Sequence, residues 1–231
     1  MSGGTRTAVV VGLVCLGLGI GSGTANAAPA EITAADECCE FTAGPFEQPR
    51  GEVARFLNPD TADAIHNVYS TDLGPDRMPL FYSGTIEPGN ESPVRGTQFL
   101  EAGSYPFFCS VHPATMSGEL QVTDSGTPAE RPSMRLAIPA QRLGAVAAKG
   151  ILRVTVSSPG AASRGSLKVQ VGKSAIRPAT ALELAAGATR EIRVKIPAKV
   201  RRAIKGRRSV KVDAEAAVRF GSPANARRVI R

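Results

Sequence analysis

The sequence predicts an all-β protein built as two β-sandwiches in one chain. Three observations carry that expectation. Short stretches in which apolar and polar residues alternate recur along the chain, separated by Gly, Pro, Asn and Asp turn signals. Residues 45–124 show no sustained helical periodicity. The charge also changes sign abruptly, since residues 1–130 hold 5 basic and 16 acidic side chains and residues 131–231 hold 23 and 4. The break coincides with a turn-rich run over 123–132. The chain therefore divides into a leader (1–27), an N-terminal extension (28–44), a first sandwich (45–124), a linker (125–133) and a second, basic sandwich (134–231).

The leader carries one cation at Arg6, an apolar run over 7–20 too short to span a bilayer, and the small-x-small triplet Ala25-Asn26-Ala27. It reads as a signal peptide cleaved near Ala27, so the expected location is secreted, periplasmic or cell-envelope. Cys15 would be discarded with it. Cys38, Cys39 and Cys109 remain, an odd number that leaves at least one thiol unpaired, metal-bound or intermolecular. A ring closed between the neighbours Cys38 and Cys39 would be strained. Free thiols, a bridge between two copies, a second metal or redox role and a purely local structural role stay open for them.

In the first sandwich, residues 51–58 alternate as a half-buried strand does, and 64–69 form a second apolar piece. Residues 72–76 and 87–90 are turns. Residues 96–100 and 103–108 lead into Cys109, and 118–122 close an antiparallel sandwich. In the basic half, 151–156, 166–171, 190–196 and 209–212 alternate with period two, and 197–205 could form a short helical turn. That half has Phe220 as its only aromatic residue and neither His nor Cys. Its architecture is similar to an immunoglobulin-like sandwich.

Between the last two strands of the first sandwich lies Cys109-Ser110-Val111-His112-Pro113-Ala114-Thr115-Met116. His66, the only other histidine, lies 43 residues before Cys109 in the phrase Ile65-His66-Asn67-Val68. Two imidazoles, one thiolate and a thioether form the donor set of a type 1 copper centre, with His66, Cys109 and His112 as strong ligands and Met116 as the weak axial one. Met78 and Met134 read as core or surface residues.

The segment 45–124 resembles a cupredoxin of the plastocyanin, amicyanin and halocyanin group. The resemblance is carried by 65–68, by Gly103-Ser104-Tyr105-Pro106-Phe107-Phe108 running into Cys109-Ser110-Val111-His112-Pro113, and by Met116-Ser117-Gly118-Glu119-Leu120. It implies a Greek-key sandwich, one type 1 copper ion and single-electron transfer between redox partner proteins. It further implies that Asn67 ties the two ligand loops together and that Pro113 flanks an exposed His112 edge, the electron's exit, with 78–81 nearby. The three-residue gap between His112 and Met116 falls between those of plastocyanins and amicyanins.

Two histidines cannot build a further catalytic copper site, so no enzyme activity is expected. Zinc accepts Cys and His, but its structural sites favour four strong ligands. A non-redox role in copper binding, sequestration or cell-envelope adhesion is the alternative. The cationic run over 199–208 lacks aromatic stacking residues, and with an exported chain no nucleic-acid partner is expected. An anionic envelope polymer, a membrane surface, or a clamp onto the acidic first sandwich would suit residues 131–231 better.

Overall fold

The computed structural model describes residues 28–36, 38–59, 63–176 and 181–231; the leader lies outside them. Residues 28–44, set apart in the sequence as an extension, supply part of the first sandwich. β1 (Glu31–Thr33) pairs in parallel with β3 (Arg55–Asn58), after β2 (Phe46–Arg50) has entered the other sheet. Ala30, Ile32, Ala34 and Phe41 belong to the same buried cluster as Phe56, Phe107 and Leu120. β4 (Tyr69–Ser70), β5 (Asn90–Pro93), β6 (Gly103–Phe108) and β7 (Ser117–Gly126) complete two sheets, ordered β1-β3-β5 and β2-β7-β6-β4. Their facing sides share one core, which makes a β-sandwich. It is antiparallel apart from the β1–β3 and β2–β7 pairs.

Two stretches expected as strand run differently. Residues 51–54 cross between the sheets instead, because Gly51 turns the chain with φ 88° and Ala54 donates its amide to the Thr97 hydroxyl at 2.9 Å. Residues 97–99 form a 3₁₀ turn after Gly96, whose φ of 106° only glycine adopts readily.

The second sandwich contains β8 (Arg135–Ala137), β9 (Ile151–Ser157), β10 (Ser163–Val171), β11 (Ser174–Ile176), β12 (Ala181–Leu184), β13 (Thr189–Lys195), β14 (Val210–Val218) and β15 (Ala224–Ile230). One sheet runs β13-β9-β8 and the other β11-β10-β14-β15, with β12 on β10. Alternate residues such as Leu152, Val154 and Val156 meet Val169, Val212, Ala214 and Ala216 in one core. α1 (Leu143–Lys149) and α2 (Ala198–Ile204) lie together beside it. Helix α1 was missed in the sequence, although Leu143, Val146 and Ala147 mark a helix face and Gly150 closes it at φ 67°. Met134 is buried in this second core and Met78 is exposed in the first sandwich.

The sandwiches are fastened together through the β14–β15 turn. Arg219 pairs with the buried carboxylate of Asp76 at 2.7 Å and donates to the Pro79 carbonyl at 2.9 Å. The Phe220 amide donates to the same carboxylate at 3.1 Å, and the Phe220 ring meets Tyr82 and Phe99 at 6.0 and 5.5 Å between centroids. Gly96 makes room for this ring, since a Cβ there would come within 2.6 Å of it. Residues 125–133, read as a linker, are also held. Ala129 donates its amide to the Gln98 carbonyl at 2.8 Å, and Arg131 bonds the carbonyls of Phe99 and Phe220 at 2.8 and 3.2 Å.

Candidate metal centre

β6 and β7 are adjacent antiparallel strands whose last pair is Phe108 opposite Ser117. The eight residues between them are therefore forced into a closed loop. It is tightened from inside, because the Cys109 amide donates to the Met116 carbonyl at 2.9 Å and the Met116 amide to the His112 carbonyl at 3.0 Å. Pro113, exposed on this loop, has no N–H to satisfy and suits the start of the tight turn that follows. One register step further in, Gly118 faces Phe107. A side chain there would strike the ring (2.6 Å to a Cβ), and the ring fills the floor of the site against Phe41, Phe46 and Phe81.

His66 arrives from the other direction. Its amide and carbonyl exchange hydrogen bonds with Ile86 at 3.2 and 2.9 Å, which fixes its backbone beside the loop. Asn67 then joins the two segments. Its Oδ1 accepts from the Ser110 amide at 2.8 Å, while its Nδ2 donates to the hydroxyls of Ser110 and Thr85, both at 2.9 Å. Ser110 and Thr85 had not been singled out in the sequence. The position of Ser110, directly after Cys109, was the only hint of its part.

Cys109 Sγ lies 3.8 Å from His66 Nδ1 and 4.0 Å from His112 Nδ1, and the two nitrogens are 3.2 Å apart. An ion held trigonally with metal–nitrogen bonds of ~2.0 Å and a metal–sulfur bond of ~2.3 Å needs edges of ~3.5–3.8 Å. The observed triangle fits that demand. His66 and Cys109 are buried and His112 is partly exposed. Burial pushes the His66 imidazole below its ordinary pKa, and the neighbouring His112 adds to the shift, so the ring stays neutral with its lone pair free for a metal. Met116 closes the loop with its side chain fully buried. Ile65 and Val111, chain neighbours of two ligands, are 40% and 39% exposed.

A second group stands close by. Ala34 and Phe41 form an antiparallel bridge, and the tip of the turn between them carries a Cys38–Cys39 disulfide. Of the alternatives open to these two cysteines, the structure shows the bond between neighbours. Their sulfurs lie within 4.8 Å of a His112 ring nitrogen.

No family profile and no curated protein matches the chain. Solved structures similar to it include auracyanin B (20% identity over 43% of this chain and 99% of that one, TM-score 0.33). Another is auracyanin A, a blue copper protein of the green thermophilic photosynthetic bacterium Chloroflexus aurantiacus (21% identity, 40% and 96% covered, TM-score 0.32). A third is a DUF3823-family protein from Bacteroides ovatus (9% identity, 88% and 97% covered, TM-score 0.27).

Proposed function

We propose that the first sandwich is a type 1 copper domain of the cupredoxin kind, and that the protein is an exported carrier of single electrons between redox partner proteins. The observation that carries this reading is the His66–Cys109–His112 triangle, a thiol and two imidazoles converging at metal-binding distances in a buried pocket. Copper, when bound, would supply a one-electron Cu(I)/Cu(II) couple. Cys109 would give the thiolate, His66 and His112 the two neutral imidazoles, and Met116 the weak fourth contact. Zinc fits less well, because it favours four strong ligands and the described residues bring three together.

Carriage fits the geometry better than delivery of the metal. A site that gives up its ion needs accessible ligands, yet three of these four are sealed from solvent. The loop hydrogen bonds and the Asn67 tie would hold the ligands still across a change of oxidation state, which keeps reorganisation small. The half-exposed His112 ring is the electron's way out. Both histidines are committed to this one centre, so the reading includes no catalytic site.

The second sandwich is read as a positioning module that engages an anionic polymer of the cell envelope through its cations. Loading the purified protein with Cu(II) tests the main reading. An intense thiolate-to-copper absorption with a reversible one-electron potential is expected, and Cys109→Ala should lose the colour. A colourless protein, or colour that survives in the variant, would rule the reading out.

A further inference from the structure

A buried ligand set needs a route by which its metal enters. His66, Cys109 and Met116 are closed off, and His112 alone among the four meets solvent. Beside that one accessible ligand stands the tip of the 34–41 turn. Cys38 is exposed there, Cys39 is half-exposed, and both sulfurs lie within 4.8 Å of a His112 ring nitrogen. The placement is built into the fold. Ala35 donates its amide to the Glu40 carbonyl at 3.0 Å and Thr42 to the Thr33 carbonyl at 2.9 Å, while the Phe41 ring sits edge-on to Phe56 and Phe107 in the core. Cys39 adopts φ 86°, a left-handed conformation that a non-glycine residue keeps only where its surroundings impose it.

We propose that Cys38 and Cys39, once reduced, form with His112 an outer Cu(I) site through which copper passes to the buried triangle. The inner end of this route rests on the copper reading above. Opening the site requires a dithiol reductant of the thioredoxin-like class. That dithiol gives two electrons and two protons to the cystine, the Cys38–Cys39 bond breaks, and the reductant leaves as a disulfide. Both new thiols release their protons to water on taking up Cu(I), a soft ion that thiolates favour. Because His112 belongs to both groups, an incoming ion can exchange the outer thiolates for Cys109 and His66 while keeping one ligand. No electron moves in that exchange. Restoring the disulfide removes the thiolates and closes the outer site behind the ion.

The test titrates Cu(I) against bicinchoninate into the full-length metal-free protein, in its disulfide form and after reduction with an immobilised phosphine. One equivalent is expected in the disulfide form and a second on reduction, while Cys38→Ser/Cys39→Ser should take one under both conditions. Cys109→Ser isolates the outer site, with none expected before reduction and one after. Equal stoichiometry before and after reduction, in the wild type and in Cys109→Ser, would overturn the proposal. The blue absorption of the Cu(II)-loaded disulfide form separates the two readings: present without the second equivalent, it leaves the inner centre standing and removes only the outer site. Absence of both removes both.

Discussion

Removing the Asn67 carboxamide would break three hydrogen bonds at once, to the Ser110 amide, the Ser110 hydroxyl and the Thr85 hydroxyl. Asn67 is buried, so its abandoned partners would not be fully compensated by water. Each net bond is worth about 1 kcal/mol and an unsatisfied buried amide costs about 1–3 kcal/mol. Asn67→Ala should therefore destabilise the metal-free protein by about 2–4 kcal/mol in urea unfolding, and bound Cu(II) should escape faster to a chelator. Unchanged values for both would mean that the tie between the two segments is idle. Met116→Leu asks a separate question at the other end of the loop. Leucine keeps the bulk of a fully buried side chain and deletes the sulfur. The colour should persist while the reduction potential rises, because loss of an axial thioether disfavours Cu(II). An unchanged potential would exclude Met116 as a ligand. His66 sets a pH dependence. Its folded pKa is depressed, so the unfolded chain binds the proton more readily. This group's contribution to stability is complete above the ordinary value of 6.5 and falls away as the pH drops through the folded pKa. Thermal unfolding of the metal-free protein between pH 8 and 5 should show that loss, with a smaller loss in His66→Gln.

β1 is the element most at odds with the sequence expectation. Its central residue Ile32 is fully buried and its three residues pair with β3, yet three residues between polar neighbours make too short a pattern to distinguish from a tail. Ile32→Ala should cost about 2–4 kcal/mol in chemical denaturation, the range for truncating a buried branched side chain; a loss under about 0.5 kcal/mol would return residues 28–44 to an accessory role. The ligand loop was legible for the opposite reason. Cys109, His112 and Met116 lie within eight residues between strands that pair with each other, so sequence spacing and spatial proximity agree. The strands of the second sandwich were legible in part. β9 and β10 bury every second residue cleanly, whereas β15 presents arginines outward over a mostly small, weakly apolar inner face. The approach of Cys38 and Cys39 to His112 was not legible, because it depends on how the 34–41 turn docks through Phe41. Nor was the fastening at Asp76, where residues 143 positions apart meet.

Across the whole molecule the second sandwich is polar in its placement as well as its charge. One end, the β14–β15 turn, grips the first sandwich through Arg219 and Phe220. β14 then runs nine residues, ~30 Å at strand spacing, to Val210 at the other end, and α2 leads directly into that end. α1 reaches it as well, since the Leu143 amide donates to the carbonyl of Arg231 at 2.7 Å. The cations of the sheets are largely matched by acids, as in Arg153–Glu191, Arg164–Glu183 and Arg227–Asp213. The helical end is different. Arg142, Lys149, Lys199, Arg201, Arg202, Lys205, Arg207 and Arg208 occupy 142–149 and 198–208, which contain no acidic residue. Among the described residues none of these eight is in an ion pair. A recess of about 520 Å³ between α1 and α2 is lined by Arg201, Arg202, Lys205 and Arg207 above small apolar residues. The contact between the sandwiches is thus made by other residues, which leaves this cationic end free to face an external anion while the copper domain stands off from it. Reversing three exposed charges in Arg202→Glu/Lys205→Glu/Arg207→Glu should abolish retention of the full-length protein on isolated cell envelopes at low salt. Wild-type retention should fall steadily as ionic strength rises past 0.1 M, where screening acts over ~10 Å. The blue absorption should stay unchanged in the variant, since the altered residues lie at the end of the module away from the ligand loop. Retention indifferent to both salt and charge reversal would show that these cations only solvate the surface. Binding of the wild type to anionic lipid vesicles, but not to stripped wall polymer, would move the target from polymer to membrane.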